Sequence, residues 1–244
     1  MLFFCERDTK QTNERPTVTQ NSLSSAKTTA RILLETKSVL FQPDEPFTFT
    51  SGKTSPVYVD CRRLISFPRA RRQLMDMAST MIEDRIGFES LDAVAGGETA
   101  GIPFAAWIAD RLMLPMCYVR KQPKGFGRNA RIEGNLKENQ RTILVEDLAT
   151  DGGSKLNFVE ALREAGAECA HAFVIFHYGI YPESVTMLAN AGVTLHALAT
   201  WRDVVDCAEE DDFLDKSSLA QVRAFLDAPD KWSKVHGEKP ADAP

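Results

Sequence analysis

Apolar positions along the chain follow two alternating rhythms. Over residues 26–41 they fall at helical spacing (Ala30, Leu33, Leu34), with Val39 to Phe41 closing the run, so an amphipathic helix is expected to open the ordered part. Phe47-Thr48-Phe49-Thr50 then alternates as a strand does. Ser51 to Pro56 reads as a turn and Val57 to Cys61 returns as a second strand, together a hairpin-like unit. Ser66, two residues before Pro68, is the expected N-cap of a helix that buries Leu74, Met75, Ala78, Met81 and Ile82. From there strands are expected near 92–96, 115–120, 141–146, 170–177 and 193–199, and helices near 101–113, 153–165, 183–191, 203–209 and 216–227. This alternation predicts an α/β fold, a mostly parallel sheet flanked by helices on both faces.

The 244 residues suit one such domain, placed at 26–230, between a flexible N-terminal tail (1–25, rich in Thr, Gln, Asn and Ser) and a C-terminal tail (231–244). No apolar run approaches the roughly 20 residues of a spanning helix, and the first five residues are too short for a signal peptide's apolar region. Acidic residues soon after them argue against a transit peptide. A net charge of −5 and a pI near 5.5 leave no broad footprint for nucleic acid. Five scattered cysteines form no Cys-x-x-Cys pair, and Cys61, Cys117 and Cys169 fall in expected strands as small core hydrophobes, so a reducing cytoplasm is expected.

Three segments carry chemistry. Behind the apolar run Thr142-Ile143-Leu144-Val145 come Glu146, Asp147, Leu148, Ala149, Thr150, Asp151, Gly152, Gly153 and Ser154, two carboxylates and then a Gly-rich turn into a helix. Amides at a helix start, together with its dipole, favour a phosphate, and carboxylates there suit ribose hydroxyls or a hydrated Mg2+. These carboxylates are read as exposed loop groups. The second segment, Arg120 to Arg131, puts five cations (Arg120, Lys121, Lys124, Arg128, Arg131) in twelve residues within a long connection, 121–140, that reads as a lid closing over a diphosphate. The third, Ala95 to Pro103, is a Gly-rich strand-to-helix turn that could offer amides to a diphosphate. His171, His177, His196 and His236 have no metal-ligand spacing, so no protein-held metal is assigned.

The order Glu-Asp, two residues, Thr, then a Gly turn ending in Ser resembles the phosphoribosyl diphosphate (PRPP) motif of type I phosphoribosyltransferases. With Phe47 to Arg63, Ser66-Phe67-Pro68, the turn at Gly96 to Pro103, Met116 to Arg120 with Pro123-Lys124 and Ile132-Glu133-Gly134, and Tyr178-Gly179, the chain resembles the orotate phosphoribosyltransferases over about residues 30–200. That resemblance implies a parallel-sheet domain with a small N-terminal hood near 26–66, a homodimer sharing lids, and transfer of phosphoribose from PRPP to orotate with Mg2+ held mainly through PRPP. It implies that Glu146 and Asp147 hold the ribose hydroxyls, that Thr150 through Ser154 cradle the 5′-phosphate, and that Arg120 and Lys124 reach the diphosphate from the partner, with Lys121 as a helper. Arg120, Lys124 and Asp147 are then the catalytic residues. Leu148, Ala149 and Phe126 also face PRPP, while Thr150 and Tyr58 face orotate.

Departures from the pattern are Phe126, where many members have His, Asp151 in the phosphate turn, and Thr50 and Ala100, where some members carry Lys. No second catalytic domain follows, so the decarboxylase of the next pyrimidine step is expected on another polypeptide. Two rival readings share the fold: a PRPP-sensing regulatory protein, and a phosphoribosyltransferase for another base.

Overall fold

The computed structural model describes residues 19–49, 52–125, 131–150 and 152–237, with side chains from residue 25 onward. Thr50, Phe126 and Asp151, and the outer parts of both expected tails, lie outside the described residues. Helix α1 (Thr19–Glu35) starts inside the expected N-terminal tail and stops before Val39. Its polar first turns carry no apolar period to announce them, yet a helix extends cheaply once nucleated, and Ala30, Leu33 and Leu34 dock it.

Residues 39–59 form two small antiparallel ladders rather than the expected single hairpin. Strand β1 (Val39–Phe41) pairs with β4 (Val57–Val59), and between them β2 (Phe47–Thr48) pairs with β3 (Thr54–Ser55). Pro56 separates β3 from β4; its missing N–H interrupts one ladder while its carbonyl accepts from Gln42 at 2.7 Å. Cys61, expected in a strand, opens a 3-10 turn (Cys61–Ser66) capped by Asp60, whose carboxylate accepts from the Arg62 amide. That turn consumes Ser66, so α2 (Pro68–Ile86) is preceded by Phe67 with no side-chain cap, and Pro68 fills the first helical position.

The main sheet uses β5 (Ala93–Gly97), β6 (Met116–Val119), β7 (Ile132–Glu133), β8 (Arg141–Ala149), β9 (Glu168–His177) and β10 (Thr194–Thr200). Its order is β10-β9-β8-β5-β6-β7, parallel throughout except for β7 against β6. Helices α3 (Gly101–Leu112), α4 (Gly153–Glu164), α5 (Pro182–Asn190), α6 (Trp201–Glu210) and α7 (Lys216–Asp227) lie at the positions that the sequence pattern predicts, and β7 is a strand that it does not. A further helix, α8 (Pro229–His236), crosses into the expected C-terminal tail. It holds one apolar anchor, Trp232, buried against Phe225, and a single anchor has no period to read.

Ile143 and Val145 face the core layer under α1, α2, α3 and α6, while Leu144 faces the layer under α4; all three are fully buried. A strand covered on both faces explains the unbroken apolar run. Each such side chain contributes about 1.5–3 kcal/mol of transfer free energy. After β5 the chain steps outward to β6, whereas β8 lies on the other side of β5 and leads away to β9 and β10. The crevice at the carboxyl ends of β5 and β8 is therefore the switch point, where open α/β sheets bind ligands. No described helix is long and apolar enough to cross a membrane.

Candidate active site

Strand β8 runs through Ala149, so Glu146, Asp147 and Leu148 belong to the strand and not to the loop beyond it. This corrects the reading of the two carboxylates as exposed, because each is only 7% accessible. Asp147 accepts from the Leu148 amide at 2.8 Å. Glu146 lies 3.4 Å from the Lys155 ammonium, itself buried, and its other oxygen, Oε1, has no well-aligned hydrogen-bond partner. Burial pushes the Glu146 carboxyl up to about 7 against the pull of Lys155, with Asp147 adding to the rise. Burial raises Asp147 as well, and Lys155 again opposes it. Apart from Lys155, the Gly101 amide is the one donor that lowers the Glu146 carboxyl, so the two buried carboxylates are short of donors and can accept hydrogen bonds from a ligand.

The Gly-rich turn makes room for this arrangement. A Cβ on Gly97 would strike Glu146 Oε1, and one on Gly101 would strike the Val145 carbonyl and the Glu146 side chain. Both glycines are therefore required by close approach to Glu146. At the other end of the crevice Gly152, at φ 83°, turns the chain from β8 into α4, and the Gly152 carbonyl accepts from the Lys155 and Leu156 amides. The first N–H groups of a helix have no intrahelical acceptor, so α4 directs amides and the positive end of its dipole toward the crevice. Lys155 Nζ lies 3.1 Å from Ser154 Oγ, which puts a cation beside the same turn.

A cavity of about 750 Å3 opens above these groups. Glu98, Thr99, Ala100, Pro103 and Lys121 line one side; Tyr58, Val59, Asp60, Arg62 and Ile65, from β4 and the 3-10 turn, line the other, with Tyr178 behind. The Lys121 amide donates to Glu98 at 2.7 Å, tying the start of the basic segment to the β5–α3 turn. Beyond it, the Arg120 amide donates to the Arg131 carbonyl and Arg131 Nε returns to the Arg120 carbonyl, so the segment leaves and re-enters the sheet as a stalk continuing β6 and β7.

Residues 65–217 match the phosphoribosyl transferase domain family. The chain is 59% identical over 218 residues to an orotate phosphoribosyltransferase of Cereibacter sphaeroides, covering 89% of this chain and 93% of that one. The chain belongs to the orotate phosphoribosyltransferase family. The crystal structure of orotate phosphoribosyltransferase from Aeropyrum pernix is similar at 31% identity with a TM-score of 0.64, over 76% of this chain and 99% of that one. UMP synthase from Leishmania donovani is similar at 27% identity with a TM-score of 0.70, over 82% of this chain; the match spans 42% of that longer protein.

Of the residues expected to serve an orotate phosphoribosyltransferase, Tyr58, Lys121, Glu146, Asp147, Leu148 and Ser154 meet around this cavity. Ala149 ends β8, and Thr150, Gly152 and Gly153 join it to α4 without lining the cavity. Arg120 and Lys124 do not line it. Arg120 Nη1 reaches Glu133 at 3.4 Å while its Nε is buried without a partner, and Lys124 is exposed. Sequence reasoning missed Lys155, Glu98, Asp60 and Arg62. A signal for Lys155 was present, since a lysine in the first turn of a helix opposes the dipole and needs a compensating anion. It also missed the contact across β9 and β10 that sets His171 Nδ1 and His196 Nε2 3.2 Å apart.

Proposed function

We propose that this chain transfers the 5-phosphoribosyl group of PRPP to N1 of orotate, giving orotidine 5′-monophosphate and diphosphate in pyrimidine nucleotide synthesis. The observation that carries the reading is the buried Glu146–Asp147 pair at the switch point, beneath a cavity with Tyr58 on its far side, in a chain 59% identical to an orotate phosphoribosyltransferase. In this reaction the C1′–O bond to diphosphate breaks, the C1′–N1 bond forms and the N1 proton is released. Glu146 and Asp147 accept hydrogen bonds from the ribose hydroxyls and hold C1′ in place, while Thr150 through Ser154 and the start of α4 hold the 5′-phosphate. Thr150 and Tyr58 bound the base. Arg120, Lys121 and Lys124 neutralise the diphosphate as it gains charge.

Mg2+ bound through PRPP oxygens would supply further charge neutralisation, and Glu146 and Asp147 are the residues here that would hold it through its waters. Arg120 and Lys124 act on the neighbouring subunit of a homodimer, a reading supported by their standing away from their own cavity, while Lys121 lines the cavity of its own chain. A cytoplasmic location suits the four buried free thiols Cys61, Cys117, Cys169 and Cys207. The regulatory reading is not favoured, because the curated relatives that the chain matches at 51–59% identity over most of its length are orotate phosphoribosyltransferases. The test is loss of orotate absorbance with PRPP and Mg2+, alongside adenine, hypoxanthine and uracil. Consumption of orotate alone is expected, and consumption of another base instead overturns the reading.

A further inference from the structure

Helix α8 lies beyond residue 217, where the match to the phosphoribosyl transferase domain ends, yet it reaches back to the hood. Ser233 Oγ accepts from the Thr54 amide at 2.9 Å, and the Thr54 hydroxyl lies 3.3 Å from both the carbonyl and the hydroxyl of Ser233. One residue before β3, Lys53 pairs with Asp230 at 2.8 Å and stands 5.8 Å over the ring of Tyr181. Both members of that ion pair are more than half exposed, so it adds little by itself. Thr54 is buried, and there the hold is stronger. On the opposite side of the same hairpin, Phe47 and Phe49 pack on Tyr58 with ring centroids 5.5 and 6.4 Å apart, and Tyr58 lines the cavity. Trp232, buried against Phe225, fixes α8 to α7 and so to the body of the domain.

We infer that α8 positions the orotate side of the site: Ser233 is a positioning residue that holds β3 through Thr54, and the hairpin carries that constraint through Phe47 and Phe49 to Tyr58. The inference rests on the reading of Tyr58 as an orotate contact. A helix serving only general stability would affect both substrates alike. A helix that sets the hood changes the base half of the cavity and leaves the PRPP half, built on β8 and α4, as it was.

The test compares the full chain with its Ser233→Ala and Ser233→Thr variants. In Ser233→Ala the KM for orotate rises roughly five- to tenfold, as expected for one or two lost hydrogen bonds, while the KM for PRPP and kcat stay within about twofold. Ser233→Thr, which keeps the hydroxyl, restores the KM for orotate. Without any substrate, amide exchange over residues 52–59 is faster in Ser233→Ala than in the wild type. Equal rises in both KM values, or an unchanged KM for orotate, overturn the inference. A wild type that consumes no orotate defeats the functional reading instead, and the exchange of 52–59 then decides alone whether α8 holds the hairpin.

Discussion

The acidic and basic halves of this site are built in opposite ways. Glu146 and Asp147 sit near the end of a central, largely buried strand of the sheet, with two glycines and a buried lysine packed around Glu146. Lys121 and Lys124 project from a stalk of two strands at the sheet's edge, both exposed. Groups that must hold a sugar in register gain from burial even at the cost of a disfavoured charge. Groups that meet a highly charged diphosphate and must then release it gain from staying in water until it arrives. On the proposed reading the site separates precision from turnover, placing the first in the core and the second at the periphery.

The largest effect should come from the core half. Replacing Glu146→Gln together with Asp147→Asn removes two charge-assisted acceptors, and kcat/KM for PRPP is expected to fall by roughly a hundred- to ten-thousandfold. Near-normal steady-state kinetics would erase the distinction between the halves. The peripheral half is tested by exchange between subunits. Lys124→Ala and Asp147→Asn, each nearly inactive alone, should recover roughly a quarter of wild-type activity when mixed, because random exchange in a two-fold dimer makes half of the molecules mixed, each with one intact site. No recovery after verified exchange would mean that the lid serves its own subunit.

A smaller effect is expected from Gly101→Ala. Its Cβ would meet the Val145 carbonyl and the Glu146 side chain, so destabilisation of about 1–3 kcal/mol is expected, with a lower affinity for PRPP. Calorimetry and PRPP titration check both.

The mildest test is pH. With the carboxyl of Glu146 raised to about 7 in the folded chain, kcat/KM for PRPP should fall below about pH 7, by up to roughly tenfold per unit. Comparison with Glu146→Gln separates this proton from those of PRPP itself. The sign for stability follows from the same shift. The folded state holds the proton more tightly than the unfolded chain, so this group makes the fold less stable as pH rises from about 4.5 to about 7. Denaturant midpoints across that window should show a shallower decline in Glu146→Gln than in the wild type.

What could be read from the chain depended on whether a residue acts through its neighbours in sequence. The parallel sheet and the turn at Gly152 are local patterns, and both lie where the pattern puts them; the acidic pair was legible as a pair but was placed in the loop instead of within β8. The burial of Glu146 was not legible, because it arises from Gly97, Gly101 and Lys155 converging from β5, α3 and α4. The hood was misjudged for a related reason. A two-residue strand such as β2 has too few positions to reveal its partner, and Pro56 redirects the pairing. Ser233 and Thr54 are 179 positions apart, beyond the reach of any periodicity.

Such distances in sequence also bear on when the enzyme becomes competent during synthesis. Arg31 of α1 grips Asp211 through two hydrogen bonds across 180 positions, and the hood awaits a helix that ends at His236. As the chain emerges, β5, β8 and the phosphate turn can assemble among themselves long before either contact exists. Long-range closures of this kind are late and slow steps. On the proposed reading, a nascent chain should therefore acquire the place for the sugar phosphate first and a settled place for the base last.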